Sequence, residues 1–205
     1  MTESLKGISG SMFAGKTETL LKEISRAEYG GKKVQVFKPE IDNRWKTEAE
    51  IRSHSGGSHK ACIVKNSSNI IDCLEPDTQV VAIEEIQFFD AEIVDVVRSL
   101  LEADIRVVFA GLSLDFRGEP FGSMPTLLSL CDEIEKPTAV CTETVDGKPC
   151  GAVATKTQRL INGKPANYSD PIVLIGDEEE GYHARCPKHH RVPGKPTPKP
   201  IYQSK

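Results

Sequence analysis

Gly10–Thr17 reads GSMFAGKT, a glycine followed by four residues and then Gly-Lys-Thr. Each part of that pattern has work to do on a nucleoside triphosphate. Glycines let backbone N–H groups close round phosphate oxygens, Lys16 reaches the outer phosphates, and the Thr17 hydroxyl can ligate Mg²⁺. The flanks suit a strand–loop–helix unit. Leu5–Ser9 is a short, modestly apolar run, Leu20, Leu21, Ile24 and Ala27 then share one helical face, and Gly30-Gly31 closes the helix. The chain is therefore expected to bind ATP or a similar triphosphate.

Working outward, residues 1–140 alternate strand and helix patterns, as parallel α/β folds do. Lys33–Phe37, Gln79–Ile83 and Arg106–Gly111 read as strands, the last two as continuous apolar runs suited to a sheet covered on both faces. Asn69–Leu74, Ala91–Glu102 and Met124–Cys131 read as helices, with Ile93, Val97, Leu100 and Leu101 on one face of the second. Glu40–Lys60 is polar and lacks periodicity, which predicts a long functional loop. The fold class expected is α/β: a P-loop-type parallel sheet flanked by helices over 1–140. A small zinc-ribbon domain carrying a lasso loop is expected over 141–193, and a disordered tail over 194–205.

The chain has 205 residues, 38% of them hydrophobic, enough for one core domain with a small appendage. No apolar run approaches the roughly 18 residues of a membrane span. MTESLKGIS has neither the basic nor the apolar region of a secretory signal. The formal charge of −4 gives no broad basic footprint for nucleic acid. Six cysteines without an export signal fit a reducing compartment. The expectation is a cytoplasmic protein with neither nucleic-acid nor membrane partners.

From Cys141 to Pro193 the chain turns rich in Gly, Pro, Asn and Asp, and only Pro171–Ile175 (PIVLI) resembles a strand. Such a segment has too little apolar surface to build a core unaided. Cys141, Cys150, Cys186 and His189 stand at its edges. The second pair is Cys-x2-His, a spacing that brings S and N donors onto one ion, whereas the first is a wide Cys-x8-Cys with Glu143–Lys148 as an inserted turn. Three thiolates and one imidazole would hold a tetrahedral structural Zn²⁺ in place of the missing core. His190 is the competing imidazole. Cys62, Cys73 and Cys131 sit in apolar or helical contexts and read as buried small hydrophobes.

The strand ending at Ile83 runs into Glu84-Glu85-Ile86-Gln87-Phe88-Phe89. A carboxylate at the end of a buried strand is where the Mg²⁺ partner sits in phosphate-loop folds. Two adjacent carboxylates can divide the labour, one holding the metal or its waters and the other serving as general base.

Taken in order, GSMFAGKT, VFKPEIDNRW, RSHSGG, VVAIEEIQFF, AGLSLDFRGEPF, TKTQRLINGKPA and GYHARCPKHH resemble the thymidine kinase family of the cellular, zinc-containing type, over residues 1 to about 195. The resemblance implies transfer of the γ-phosphate of ATP to the 5′-hydroxyl of thymidine. It implies phosphate binding by Ser9, Gly10, Ser11, Met12, Phe13, Ala14, Gly15 and Lys16. Thr17, Glu84 and Gln87 then serve the Mg²⁺–nucleotide, Glu85 is the general base, and Arg44 stabilises charge on the moving phosphoryl group. A flexible lasso closes the acceptor site in that family. The matching positions are Thr155, Leu174, Ile175, Gly176, Asp177 and Tyr182, with Met12, Phe88, Leu112 and Phe116 on the apolar side. Homotetramers and feedback inhibition by deoxythymidine triphosphate (dTTP) are further implications.

Three positions depart from the family's habit. Glu84 stands where aspartate is usual, Ser11 where proline is common, and the first cysteine pair is six residues wider than Cys-x2-Cys. Two other functions share much of this pattern: a deoxynucleoside kinase with a shifted base preference, and a zinc-ribbon regulator that holds ATP without transferring phosphate. Glu85 separates the last, because a pure binder needs no base.

Overall fold

The computed structural model describes residues 4–41, 49–53, 55–173 and 180–196. In chain order the first elements are β1 (Leu5–Gly10), α1 (Lys16–Tyr29), β2 (Val34–Pro39), β3 (Glu50–Arg52), β4 (Ser58–Lys60), β5 (Cys62–Val64) and α2 (Ser68–Asp72). Next come β6 (Val80–Ile83), a 3₁₀ turn at Ile86–Phe88, α3 (Ile93–Glu102), β7 (Arg106–Leu112), α4 (Met124–Leu130) and β8 (Glu133–Glu135). A set of short strands ends the chain: β9 (Ala139–Val140), β10 (Thr144–Val145), β11 (Lys148–Pro149), β12 (Val153–Ala154), β13 (Lys156–Ile161), β14 (Lys164–Pro165) and β15 (Glu180–Arg185).

Six strands form one parallel sheet in the order β5-β2-β6-β7-β1-β8. The period-2 alternation of side chains sorts its apolar residues onto two faces. Leu5, Phe37, Val81, Ile83, Val107 and Phe109 pack on one side with Ile93, Val97 and Leu100 of α3 and Met124 and Leu127 of α4. Ile8, Val36, Ala82, Val108 and Ala110 face the other, against Leu20 and Ile24 of α1. Both layers meet the sequence expectation for 1–140. One face detail differs: Val96 rather than Leu101 completes the buried stripe of α3.

Three expectations need correction. Glu40–Lys60 is not wholly loop, because β3 and β4 pair as a hairpin across Gly56, whose φ is 97°. Ile51 is its buried anchor at 2% exposure, and one apolar residue gives no periodicity to read. Cys62 and Cys73 are exposed, not buried, since one lies on the edge strand β5 and the other caps the five-residue helix α2, while Cys131 is half-buried. The described part of PIVLI, residues 171–173, forms no strand, and the Pro171 carbonyl accepts from the side chain of Arg159 instead.

The strands after residue 138 arise elsewhere. β13 pairs antiparallel with β14 and β15, and β9 with β12. The inserted turn is a hairpin, β10–β11, closed by Asp146 and Gly147 with φ of 49° and 75°. Two positive φ angles suit the two-residue turn that matches strand twist.

Candidate active site and metal centre

The phosphate loop leaves β1 at Gly10, where a Cβ would lie 2.7 Å from the Pro137 carbonyl oxygen, so only glycine fits. Gly15 takes a left-handed φ of 79° and opens α1. N–H groups at a helix start, together with loop amides, are suited to an anion. Lys16 is 8% exposed and its Nζ donates to Ser11 O at 3.0 Å, curling back over the loop. Ser9 is buried, and its Oγ has no hydrogen-bond partner among the described residues.

Thr17 Oγ1 donates to Glu84 Oε1 at 2.6 Å. A hydroxyl and a carboxylate meeting at the mouth of the loop are the oxygen donors that Mg²⁺ favours, so the donor set fits that ion. The extra methylene of Glu84, compared with aspartate, still brings its oxygen to Thr17. Glu84 and Glu85 are 4% and 5% exposed, and Glu85 sits at a left-handed φ of 49°. Such backbone is uncommon for a residue with a Cβ and is tolerated where surrounding structure holds it. Gln87 donates through Nε2 to Glu85 Oε2 and accepts at Oε1 from Leu112 N–H at 3.0 Å.

Beside the acidic pair lies an aromatic cluster. The rings of Phe88 and Phe121 meet edge to face at 5.5 Å. Phe116 is 3% exposed and carries the Arg159 guanidinium 4.0 Å above its ring. Its loop is organised by Asp115, whose Oδ1 accepts from Arg117 N–H and Glu119 N–H while Oδ2 pairs with the Arg117 side chain at 2.7 Å. Tyr182 lies on β15 opposite Arg159, which joins the Phe116 and Tyr182 positions through β13. Thr155, half-buried, directly precedes that strand. Arg44, Leu174, Ile175, Gly176 and Asp177 lie outside the described residues.

β13 contributes residues that the sequence reading missed. Thr157 Oγ1 accepts from Met12 N–H at 3.0 Å, so the phosphate loop is bonded directly to the second region. Ser11 Oγ adds a 3.4 Å contact to Ala154 O. Arg159 is fully buried, donates to Pro171 O at 2.6 Å, and has no hydrogen-bond partner for Nε or Nη2 among the described residues. The signal was present in TKTQR as a run of polar residues at strand spacing, which reads as solvated surface until its partners are known.

Cys141, Cys150, Cys186 and His189 bring one donor atom each within 4.8 Å of one another. His189 Nδ1 lies 3.7 Å from Cys141 Sγ and 3.5 Å from Cys186 Sγ. A tetrahedral zinc with the usual Zn–S and Zn–N lengths places S and N about 3.5 Å apart, so the cluster fits that ion. Burial opposes ionisation of Cys141, but N–H groups of Cys186 and Glu143 and the hydrogen bond with His189 draw its thiol down to about 6. Cys150 moves the other way: an Ala152 N–H favours its thiolate, yet burial and the neighbouring sulfurs of Cys141 and Cys186 raise it overall. Gly151 follows with a φ of 68°, the turn expected after a knuckle cysteine. His190 is not among these clustered donors; its Nε2 meets Phe116 O at 2.8 Å, and burial lowers its pKa.

A parallel sheet with a phosphate loop at the end of β1, an acidic pair at the end of β6 and a Cys3His cluster that could hold a metal ion is the arrangement of a phosphate-loop nucleotide-binding protein. The chain belongs to the thymidine kinase family, whose model, described as "Thymidine kinase", matches residues 3–190. Among solved structures, the genome packaging NTPase B204 of Sulfolobus turreted icosahedral virus 2, in complex with ATP-gammaS, is similar with a TM-score of 0.42. The identity is 11%, over 66% of this chain and 75% of that one. The ATPase DotB of Legionella pneumophila (TM-score 0.38, 15% identity) is matched over 63% of this chain and 35% of that one. The Pif1 helicase of Candida albicans (TM-score 0.38, 17% identity) is matched over 66% and 36%. The chain thus spans about a third of the latter two. Among the described residues no helix is long and apolar enough to cross a membrane.

Proposed function

We propose that this member of the thymidine kinase family transfers the γ-phosphate of Mg-ATP to the 5′-hydroxyl of thymidine, giving thymidine monophosphate for deoxynucleotide salvage. The observation that carries the reading is the convergence of the phosphate loop and the buried Glu84–Glu85 pair, bridged by the Thr17–Glu84 bond. Loop amides and Lys16 bind the donor phosphates. Thr17 and Glu84 would hold Mg²⁺, which supplies positive charge against the phosphate oxygens when bound. Glu85 takes the proton from the acceptor hydroxyl, and its burial keeps bulk water from competing. Arg44 steadies the moving group.

Met12, Phe88, Leu112, Phe116, Thr155 and Tyr182 form the acceptor pocket, with main-chain groups of Leu174–Asp177 reading the base. Cys141, Cys150, Cys186 and His189 would hold a structural Zn²⁺, because all four positions are filled by protein donors. The region 139–190 then serves the acceptor site and the sheet serves the donor site. Inhibition by dTTP follows from one molecule spanning both sites. A homotetramer and a cytoplasmic location rest on family resemblance.

The test is phosphate transfer from Mg-ATP to thymidine, deoxycytidine, deoxyguanosine and deoxyadenosine, with Glu85→Gln as control. Turnover on thymidine, reduced about 10²–10⁴-fold in the variant, is expected. Preference for another nucleoside would move the reading to a related deoxynucleoside kinase. ATP binding without transfer to any of them would contradict it.

A further inference from the structure

Gln87 is 3% exposed, and both ends of its amide are engaged inside the protein. The Leu112 N–H can only donate, so the atom it meets is the amide oxygen and the NH₂ faces Glu85. The 3₁₀ turn Ile86–Phe88 sets Gln87 two residues beyond Glu85, folded back toward the carboxylate. Space for it is kept by two glycines from other segments. A Cβ on Gly111 would lie 2.6 Å from Gln87 Oε1, and one on Gly122 would lie 2.8 Å from the Gln87 carbonyl oxygen. The end of β7 thus closes on the Gln87 side-chain amide and the loop before α4 on its main chain, while the amide's donor holds one carboxylate oxygen.

We propose that Gln87 is a positioning residue for phosphoryl transfer: it fixes the Glu85 carboxylate in the rotamer that accepts the acceptor's proton. The proposal rests on Glu85 being the base. The physical need is plain. Glu85 sits on left-handed backbone with a side chain of several rotatable bonds, and a base displaced by about 1 Å can cost about 100-fold in rate. A donated hydrogen bond from a buried, doubly anchored amide restrains the carboxylate at Oε2.

The test uses Gln87→Glu and Gln87→Met in the full chain. Gln87→Glu keeps an acceptor for Leu112 N–H but loses the donor to Glu85. It also sets a carboxylate against Glu85, so Gln87→Met, which removes the donor without adding charge, is read beside it, and a loss in Gln87→Glu alone would mean repulsion rather than lost positioning. The expected result is a kcat for thymidine phosphorylation lowered about 10- to 100-fold in both variants, with KM for ATP within about twofold of wild type. Gly111→Ala approaches the same amide from β7 and is expected to lower kcat likewise. In a Glu85→Gln background, Gln87→Glu should cause no further loss, since the group it orients is already gone. Retained ATP binding identifies folded variants. Full turnover by Gln87→Glu beside an inactive Glu85→Gln would overturn the proposal alone. A KM for ATP raised more than about tenfold at unchanged kcat would return Gln87 to the nucleotide. Full turnover by Glu85→Gln would remove the base reading and the proposal together.

Discussion

At the centre of β6 the buried side chains are Val81, Ala82 and Ile83, while at the centre of β13 they are Thr157, Gln158 and Arg159. Both strands are interior, yet they are held by different chemistry. The sheet buries aliphatic and aromatic groups on two faces, a non-directional stabilisation that grows with apolar area. The apolar cluster from Ala139 onward is made of alanines and cysteines (Ala139, Cys141, Ala154, Ala184 and Cys186, packed with Ala14 of the phosphate loop), which are too small to supply much of that driving force. This region relies on directed contacts: the Cys3His cluster, the ladder β13–β15, and Gln158, which accepts from Arg191 N–H and donates to Arg191 O. The sheet's polar contacts stand beside a large apolar core, whereas those of the second region stand beside a small one.

This contrast ranks the expected damage. Cys186→Ser removes one of the four donors of the Cys3His cluster, and a structural zinc held there would contribute on the order of 10 kcal/mol to the fold. Calorimetry should then show the 139–190 region melting on its own, well below the sheet. A single shared transition at the wild-type Tm would break the comparison. Phe109→Ala comes next. Phe109 is fully buried between the sheet and α3, and its loss should cost about 3–5 kcal/mol in urea unfolding. That loss should reach both sites, because β7 also carries Leu112.

Arg159→Met is milder and sharper. It removes the cation over Phe116 and the bond to Pro171 O while keeping a similar volume. KM for thymidine should rise about tenfold, which is about 1.4 kcal/mol, while KM for ATP stays put. Lysine should not rescue it, since an ammonium lacks the planar group that stacks on the ring. An equal rise in both KM values would mean that Arg159 serves stability in general rather than the acceptor pocket.

The same contrast explains what could be read from the sequence. Leu20, Ile24, Val81 and Phe109 declare themselves by period, because apolar burial leaves a pattern in the chain. GSMFAGKT and Glu84-Glu85 were legible because phosphate and metal chemistry restrict residue types at fixed spacing. Cys186 and His189 were legible for the same reason, and the wide gap from Cys141 to Cys150 resolves as the β10–β11 hairpin. β13 and β15 were not legible. Their inward positions are Thr157, Arg159 and Ala184, whose burial depends on partners more than twenty residues away or on single bonds such as Thr157 to Met12. The β3–β4 hairpin was hidden because only Ile51 anchors it. Gln87 was visible as part of a motif, but its bond to Glu85 needs the fold, since Leu112 and Gly111 arrive from another strand.

The central claim is that the sheet holds the donor while the Cys3His region serves the acceptor. Its most direct test is to withdraw metal with a chelator while following ATP and thymidine binding separately by calorimetry. Thymidine binding should fade first, with ATP binding largely kept by the phosphate loop, and zinc should restore it. Loss of ATP binding with thymidine binding intact would contradict the account.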